Sequence, residues 1–152
     1  MRHLWIFIHL LGFTLWLGGG LSSMFIGIAA RREPRENLAV VARMLATNSR
    51  VLMLPGSLGT LVSGLVLTLM AYGGPGSSLA VSHWLMTMQA FGLIGAIITL
   101  VFLVPNGGRI AQVDPVGQAA QFDRMRAKQA RLGMISGLFG MAALIAGALG
   151  GP

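Results

Sequence analysis

Hydrophobic residues fill four long stretches of this chain, and the charged residues lie between them. The uncharged runs cover residues 4–30, 51–73, 84–104 and 132–149. Each is close to the roughly 20 helical residues that cross about 30 Å of bilayer hydrocarbon. Because lipid offers no partner for backbone N–H and C=O groups, each run should form an α-helix. The pattern predicts an all-α integral membrane four-helix bundle that forms a single domain over residues 1–152.

The charged residues predict how the helices are oriented. Apart from Arg2, every Asp, Glu, Lys and Arg lies within residues 31–50 or 109–131, and each of these segments holds five basic residues. The connection at residues 74–83 holds none. Since basic residues accumulate on the cytoplasmic side, the loops at 31–50 and 105–131 should be cytoplasmic and both termini outside.

The two charged segments also contain local signals. Residues 35–50 place Leu38, Val41, Met44 and Leu45 at helical spacing, which is typical of an amphipathic helix at the membrane interface. In the second segment, the run from Pro105 to Gly108 should end the third helix. Residues from about Val116 favour helix again, so the fourth helix can begin in the cytoplasm. Both segments are expected to anchor at lipid headgroups, and the alternative is a specific cytoplasmic partner.

Composition excludes several classes of protein. The chain is 55% apolar and only 10% charged, whereas soluble domains average about 25% charged residues. Most soluble enzymes are therefore excluded. The net charge of +7 comes from basic residues that flank the membrane helices, so it does not predict a nucleic-acid partner. The absence of cysteine excludes disulfides, thiolate catalysis, iron–sulfur clusters and covalent c-type haem. The first run is too long for a signal peptide and ends at Arg31 and Arg32, so it should be a retained anchor.

Small residues recur along each predicted helix, and they have two interpretations. They let helix backbones approach closely in lipid, or they leave room for a flat cofactor between helices. They also invite self-association, as a homodimer or within a larger membrane complex. The positions are Gly12, Gly20, Ser23 and Gly27; Gly56, Gly59 and Ser63; Gly92 and Ala96; and Gly133, Gly137 and Gly140.

His9 is the residue with the clearest chemical potential. It lies five residues inside the first run, about 8 Å deep at 1.5 Å per residue, where ionisable groups are rare. Gly12 and Trp16 share its helix face, so His9 could be an axial haem ligand with space beside Gly12 for the macrocycle. The alternative is a neutral histidine that hydrogen-bonds to a neighbouring backbone group or to a serine or threonine. His3 and His83 lie at the membrane boundary, where solvation explains them.

Histidine and methionine also cluster at the predicted outer side. Besides His9, that side holds Met70, His83, Met86 and Met88. Imidazole and thioether groups are ligands for haem iron and copper. Methionine equally fills gaps in apolar cores, so a metal site and plain packing both remain open.

Several short motifs resemble a known group of membrane proteins. The segment from His9 through Gly12, Trp16 and Gly18-Gly19 is followed by a basic loop, by Leu54-Pro55 with Gly59 or Gly64, and by Trp84-Leu85. This arrangement resembles small four-helix proteins related to HemJ-type protoporphyrinogen oxidase and CopD-like proteins, most closely a branch of predicted bacterial inner-membrane proteins.

The resemblance implies that His9 matches a histidine associated with b-type haem and that Trp16 matches the aromatic residue that follows it. The HemJ-type pattern has a lysine four residues after the tryptophan of the third helix, where this chain has Met88. The missing cation argues against protoporphyrinogen oxidation.

Three hypotheses follow for a protein of the bacterial cytoplasmic membrane. The first is a haem b-binding redox or electron-transfer protein, with His9 as one axial ligand and His83, Met86, Met88 or a second chain supplying the other. The second is a non-catalytic four-helix subunit or scaffold, in which His9 is merely buried. The third is a copper-handling protein that uses His9, His83 and the nearby methionines.

Overall fold

A computed structural model describes residues 1–73 and 83–150 of the chain. In these ranges the protein is helical, without a β-strand. Four helical stretches are long and apolar enough to cross a membrane, which confirms the predicted all-α bundle. We refer to them as the first to fourth spans: Arg2–Ala29, Arg35–Tyr72, His83–Ile110 and Ala119–Leu149. The predicted connection at 74–83 lies, except for His83, outside the described residues.

The first and fourth spans are single helices, α1 (Arg2–Ala29) and α6 (Ala119–Leu149). The second and third spans are composite helices. The second begins with a 3₁₀ turn (Arg35–Asn37) and continues through α2 (Leu38–Asn48), a π-helical segment (Ser49–Met53) and α3 (Leu54–Tyr72). The third contains α4 (His83–Ile97), a π-helical segment (Ile98–Leu103) and α5 (Val104–Ile110).

Each composite span carries a proline two residues after the end of its π-helical segment. Pro55 and Pro105 are both the second residue of the helix that follows. Proline has no N–H and its ring crowds the carbonyl one turn earlier, and the wider turn of a π-helix relieves both constraints. The prediction that Pro105 to Gly108 end the third helix is therefore wrong. The helix continues to Ile110.

The helices at the charged end are longer than the sequence pattern predicts. Most of residues 31–50 is helix and forms the first part of the second span, while α6 begins at Ala119, close to the predicted start near Val116. Leu38 is buried in a cluster with Ile110 and Phe122, whereas Met44 is exposed. The apolar side of α2 therefore packs partly against protein and not only against the membrane interface, as the sequence predicts. The reason is that α5 and α6 extend beyond the apolar runs and cover part of α2.

The bundle is built from two close helix pairs, α1 with α3 and α4 with α6. A second buried cluster joins the pairs and consists of Trp16, Met53, Ala96 and Leu103. Large apolar side chains face outward along all four spans, as expected where lipid is the solvent.

Some of the small residues lie at these helix contacts, and others face open space. A Cβ atom added at Gly140 would meet the side chain of Leu17, but one added at Gly137 or Gly27 would meet nothing within 4 Å. The interpretation of Gly27 and Gly137 as packing positions within one chain is therefore wrong.

Candidate functional site

His9 lies between α1 and α3 and hydrogen-bonds to both a backbone and a side-chain oxygen. Its Nδ1 atom is 3.0 Å from the carbonyl oxygen of Thr60 and 3.1 Å from Oγ of Ser63. A carbonyl oxygen only accepts, so Nδ1 carries the hydrogen, and in the neutral ring Nε2 then has a lone pair. The imidazole ring also occupies the space beside Gly64, where a Cβ atom would lie 3.1 Å from Cε1 of His9.

The acceptors of His9 belong to a polar stripe on α3. Ser57, Thr60 and Ser63 recur every three residues and are all buried. Their hydroxyl groups donate to carbonyl oxygens of their own helix, as serine and threonine commonly do in apolar helices. This leaves the Ser63 oxygen able to accept from His9.

Gly12 lies where the backbones of α1 and α3 approach closely. A Cβ atom on Gly12 would lie 2.8 Å from the carbonyl oxygen of Gly56 and 2.8 Å from the backbone nitrogen of Thr60. The space predicted beside Gly12 is thus filled by the backbone of α3. A haem that lies against Gly12 does not fit this packing, because the two helices would have to separate to admit it.

Trp16 joins the two helix pairs at the centre of the bundle. It is only 2% exposed, and its Nε1–H donates to Oγ1 of Thr99 at 2.9 Å. The Thr99 and Ser136 hydroxyl groups are 2.8 Å apart, and the Ser136 hydroxyl also donates to the carbonyl oxygen of Gly95. Trp16 therefore links α1, the third span and α6, rather than flanking an open pocket.

The other predicted ligands have separate surroundings. Met88 packs against α6, where its sulfur would lie 2.8 Å from a Cβ atom on Gly147, whereas His9 faces α3. Met86 and His83 are exposed. Within residues 1–73 and 83–150, no group of three or more His, Cys, Asp or Glu side chains could hold a metal ion.

A second set of polar contacts lies towards the charged end. The Asn48 amide donates to the carbonyl oxygen of Gly19 and to the hydroxyl of Ser23, both at 2.8 Å. The Asn106 amide donates to Oε1 of Gln129 at 2.7 Å, and the Gln129 amide donates to the carbonyl oxygen of Leu103 at 3.1 Å.

These amides and the polar stripe of α3 were not predicted from the sequence. The signal that could have found the stripe is the three-residue spacing of Ser57, Thr60 and Ser63 within an apolar run. Asn48 and Asn106 lie in segments that the charge pattern assigned to loops, where an amide carries no such signal.

A family model described as a predicted integral membrane protein, DUF2269, matches residues 4–148. The chain belongs to this family. The match includes nearly all of the four spans of this DUF2269 protein and supports membrane insertion, but it does not support a specific relation to the HemJ-type or CopD-like proteins. No curated protein matches the chain. No solved structure matches it either.

Proposed function

We propose that the protein is a non-catalytic four-helix membrane subunit, in which His9 joins α1 to α3. The observation that carries this proposal is the bond from Nδ1 of His9 to the carbonyl oxygen of Thr60, at 3.0 Å. It lies beside the helix contact at Gly12, which a bound macrocycle would have to open. Interhelical hydrogen bonds of this kind stabilise membrane bundles by about 0.6–2 kcal/mol.

The outward faces of the bundle support a role within an assembly. Gly18, Gly27 and Gly137 have open space where a side chain would be, and small residues are the positions at which membrane helices approach each other. A second copy of the chain or a different membrane subunit could pack there. The bacterial cytoplasmic membrane is the proposed location, because the chain resembles inner-membrane proteins and its basic residues cluster as the positive-inside rule requires.

Haem b ligation by His9 is the second candidate, and one observation favours it. Histidines that bind metal commonly donate one ring N–H to a backbone carbonyl and ligate through the other nitrogen. His9 has this tautomer, with Nδ1 bonded to Thr60. The closed contact between Gly12 and Gly56 weighs against it.

The structural role of His9 is tested by two substitutions that differ in hydrogen bonding. His9→Leu removes the donor, whereas His9→Asn keeps an amide N–H one bond beyond Cγ, the position that Nδ1 occupies. We expect His9→Leu to lower the free energy of unfolding in mixed micelles by about 1 kcal/mol, and His9→Asn to lower it by less. His3→Leu, at the exposed start of α1, is the control and should change little. Equal stability of His9→Leu and the wild type would contradict the proposal.

A further inference from the structure

One face of α6 changes from basic to apolar along its length. Its residues recur at intervals of three or four, which places them in one stripe on the helix. The stripe comprises Arg124, Lys128, Arg131, Ile135, Leu138 and Ala142. Two shallow grooves lie along this stripe, one at its basic end and one at its apolar end.

The basic groove is lined by Arg124, Lys128 and Arg131 together with Ala127 and Leu132. All three cations are exposed. Within residues 1–73 and 83–150, the salt bridge that forms joins Arg35 to Asp123, and none forms to Arg124, Lys128 or Arg131. Such a cluster attracts anionic groups, and phosphate accepts several hydrogen bonds from arginine at once.

The apolar groove follows directly along the same helix. It is lined by Ile135, Leu138, Phe139 and Ala142 of α6 together with Phe91 of α4. From Arg131 to Ala142 the helix rises by about 16 Å at 1.5 Å per residue. This is about half of the roughly 30 Å hydrocarbon thickness, the depth that one acyl chain of one leaflet occupies.

We propose that this stripe is a binding site for an anionic phospholipid. The headgroup phosphate lies among Arg124, Lys128 and Arg131, and an acyl chain lies in the groove beside Phe91 and Phe139. The order of the two grooves carries the proposal, because a phospholipid has a phosphate at one end and a chain that extends from it towards the bilayer centre. A soluble phosphate would use the basic groove alone.

The test compares phosphatidylglycerol with phosphatidylcholine of identical acyl chains, added to the detergent-purified full chain and counted by native mass spectrometry. We expect phosphatidylglycerol to bind more tightly to the wild type. Each surface cation contributes about a fivefold gain in affinity for anionic lipid, so Arg124→Gln, Lys128→Gln and Arg131→Gln together should abolish the preference. A control with Arg31→Gln, Arg32→Gln and Arg43→Gln removes the same number of charges elsewhere and should retain the preference for phosphatidylglycerol.

The apolar half has its own test, which leaves every charge in place. Ala142→Phe fills the groove and should reduce retained phosphatidylglycerol severalfold, whereas Ala148→Phe, on another exposed face of α6, should not. The proposal is overturned if the triple groove variant keeps the lipid preference or if both triple variants lose it equally. It is also overturned if Ala142→Phe has no effect, or if inorganic phosphate displaces the lipid at equal concentration.

Discussion

The backbones of Gly12 and Gly56 lie so close that neither position has room for a side chain. A Cβ atom on Gly12 would be 2.8 Å from the carbonyl oxygen of Gly56, and one on Gly56 would be 2.8 Å from the carbonyl oxygen of Gly12. Lipid tails provide no hydrophobic drive for helix association, so this close packing is a main source of attraction between α1 and α3. It also positions His9 opposite its acceptors on α3.

Gly12→Ala tests the contact between the two helices. The added methyl group would meet backbone atoms, which cannot move aside without separating the helices. We expect the free energy of unfolding in mixed micelles to fall by about 1–3 kcal/mol. Gly20→Ala is the matched control, because a Cβ atom there meets only Cε of Met53, at 4.0 Å, and it should not lower stability, since alanine favours helix over glycine by up to about 1 kcal/mol. Equal effects of the two substitutions would show that α3 does not pack on Gly12.

Thr99→Val tests the hydrogen bonds at the centre of the bundle. Valine nearly matches threonine in shape but leaves the Trp16 indole N–H without its acceptor. An unpaired buried donor costs about 1–3 kcal/mol, which chemical unfolding would detect. Thr14→Val is the control, since the Thr14 hydroxyl is exposed and donates only to its own helix. A loss no larger than that of Thr14→Val would contradict the arrangement.

A cross-link tests the pairing of α4 with α6. A Cβ atom on Gly92 would lie 3.9 Å from Cβ of Ala143, within the usual range for a disulfide. The chain has no cysteine, so the double variant Gly92→Cys, Ala143→Cys has no competing thiol. Under mild oxidation it should resist alkylation by a large maleimide. The pair Gly92→Cys, Gly137→Cys should remain reactive because Gly137 faces open space; the reverse pattern would contradict the pairing.

Reporter tags test the predicted orientation. The ten basic residues of the two charged segments predict that tags at Met1 and Pro152 lie outside, and that a tag inserted at residues 112–118 lies inside. Protease protection in sealed vesicles distinguishes the two sides. Opposite locations for the two termini would contradict a bundle with an even number of spans.

The charge pattern was sufficient to predict the four spans, because charged residues cannot be placed in hydrocarbon without large cost. Helix ends were harder to predict. Pro105 and Gly108 usually end a helix, yet the π-helical turn before Pro105 and the amide of Asn106 bonded to Gln129 allow the helix to continue. Both depend on the neighbouring helix, which local sequence does not specify.

The sequence predicted the residues of the site but not the helix that packs against them. The face shared by His9, Gly12 and Trp16 follows from helical periodicity alone. Whether a glycine on that face borders a cavity or another backbone depends on which helix packs there, and Gly56 on α3 decides it. The sequence therefore identified the residues of the α1 face without identifying what covers them.

Haem titration tests most directly whether α3 covers the His9 face of α1. Haem is added in steps to the detergent-purified protein, and the Soret absorption is followed for the wild type, His9→Ala and the boundary control His3→Ala. If α3 covers this face, the titration should give no His9-dependent Soret band that saturates at one haem per chain. A saturable band that His9→Ala removes and His3→Ala retains would contradict the packed face and establish His9 as a haem ligand.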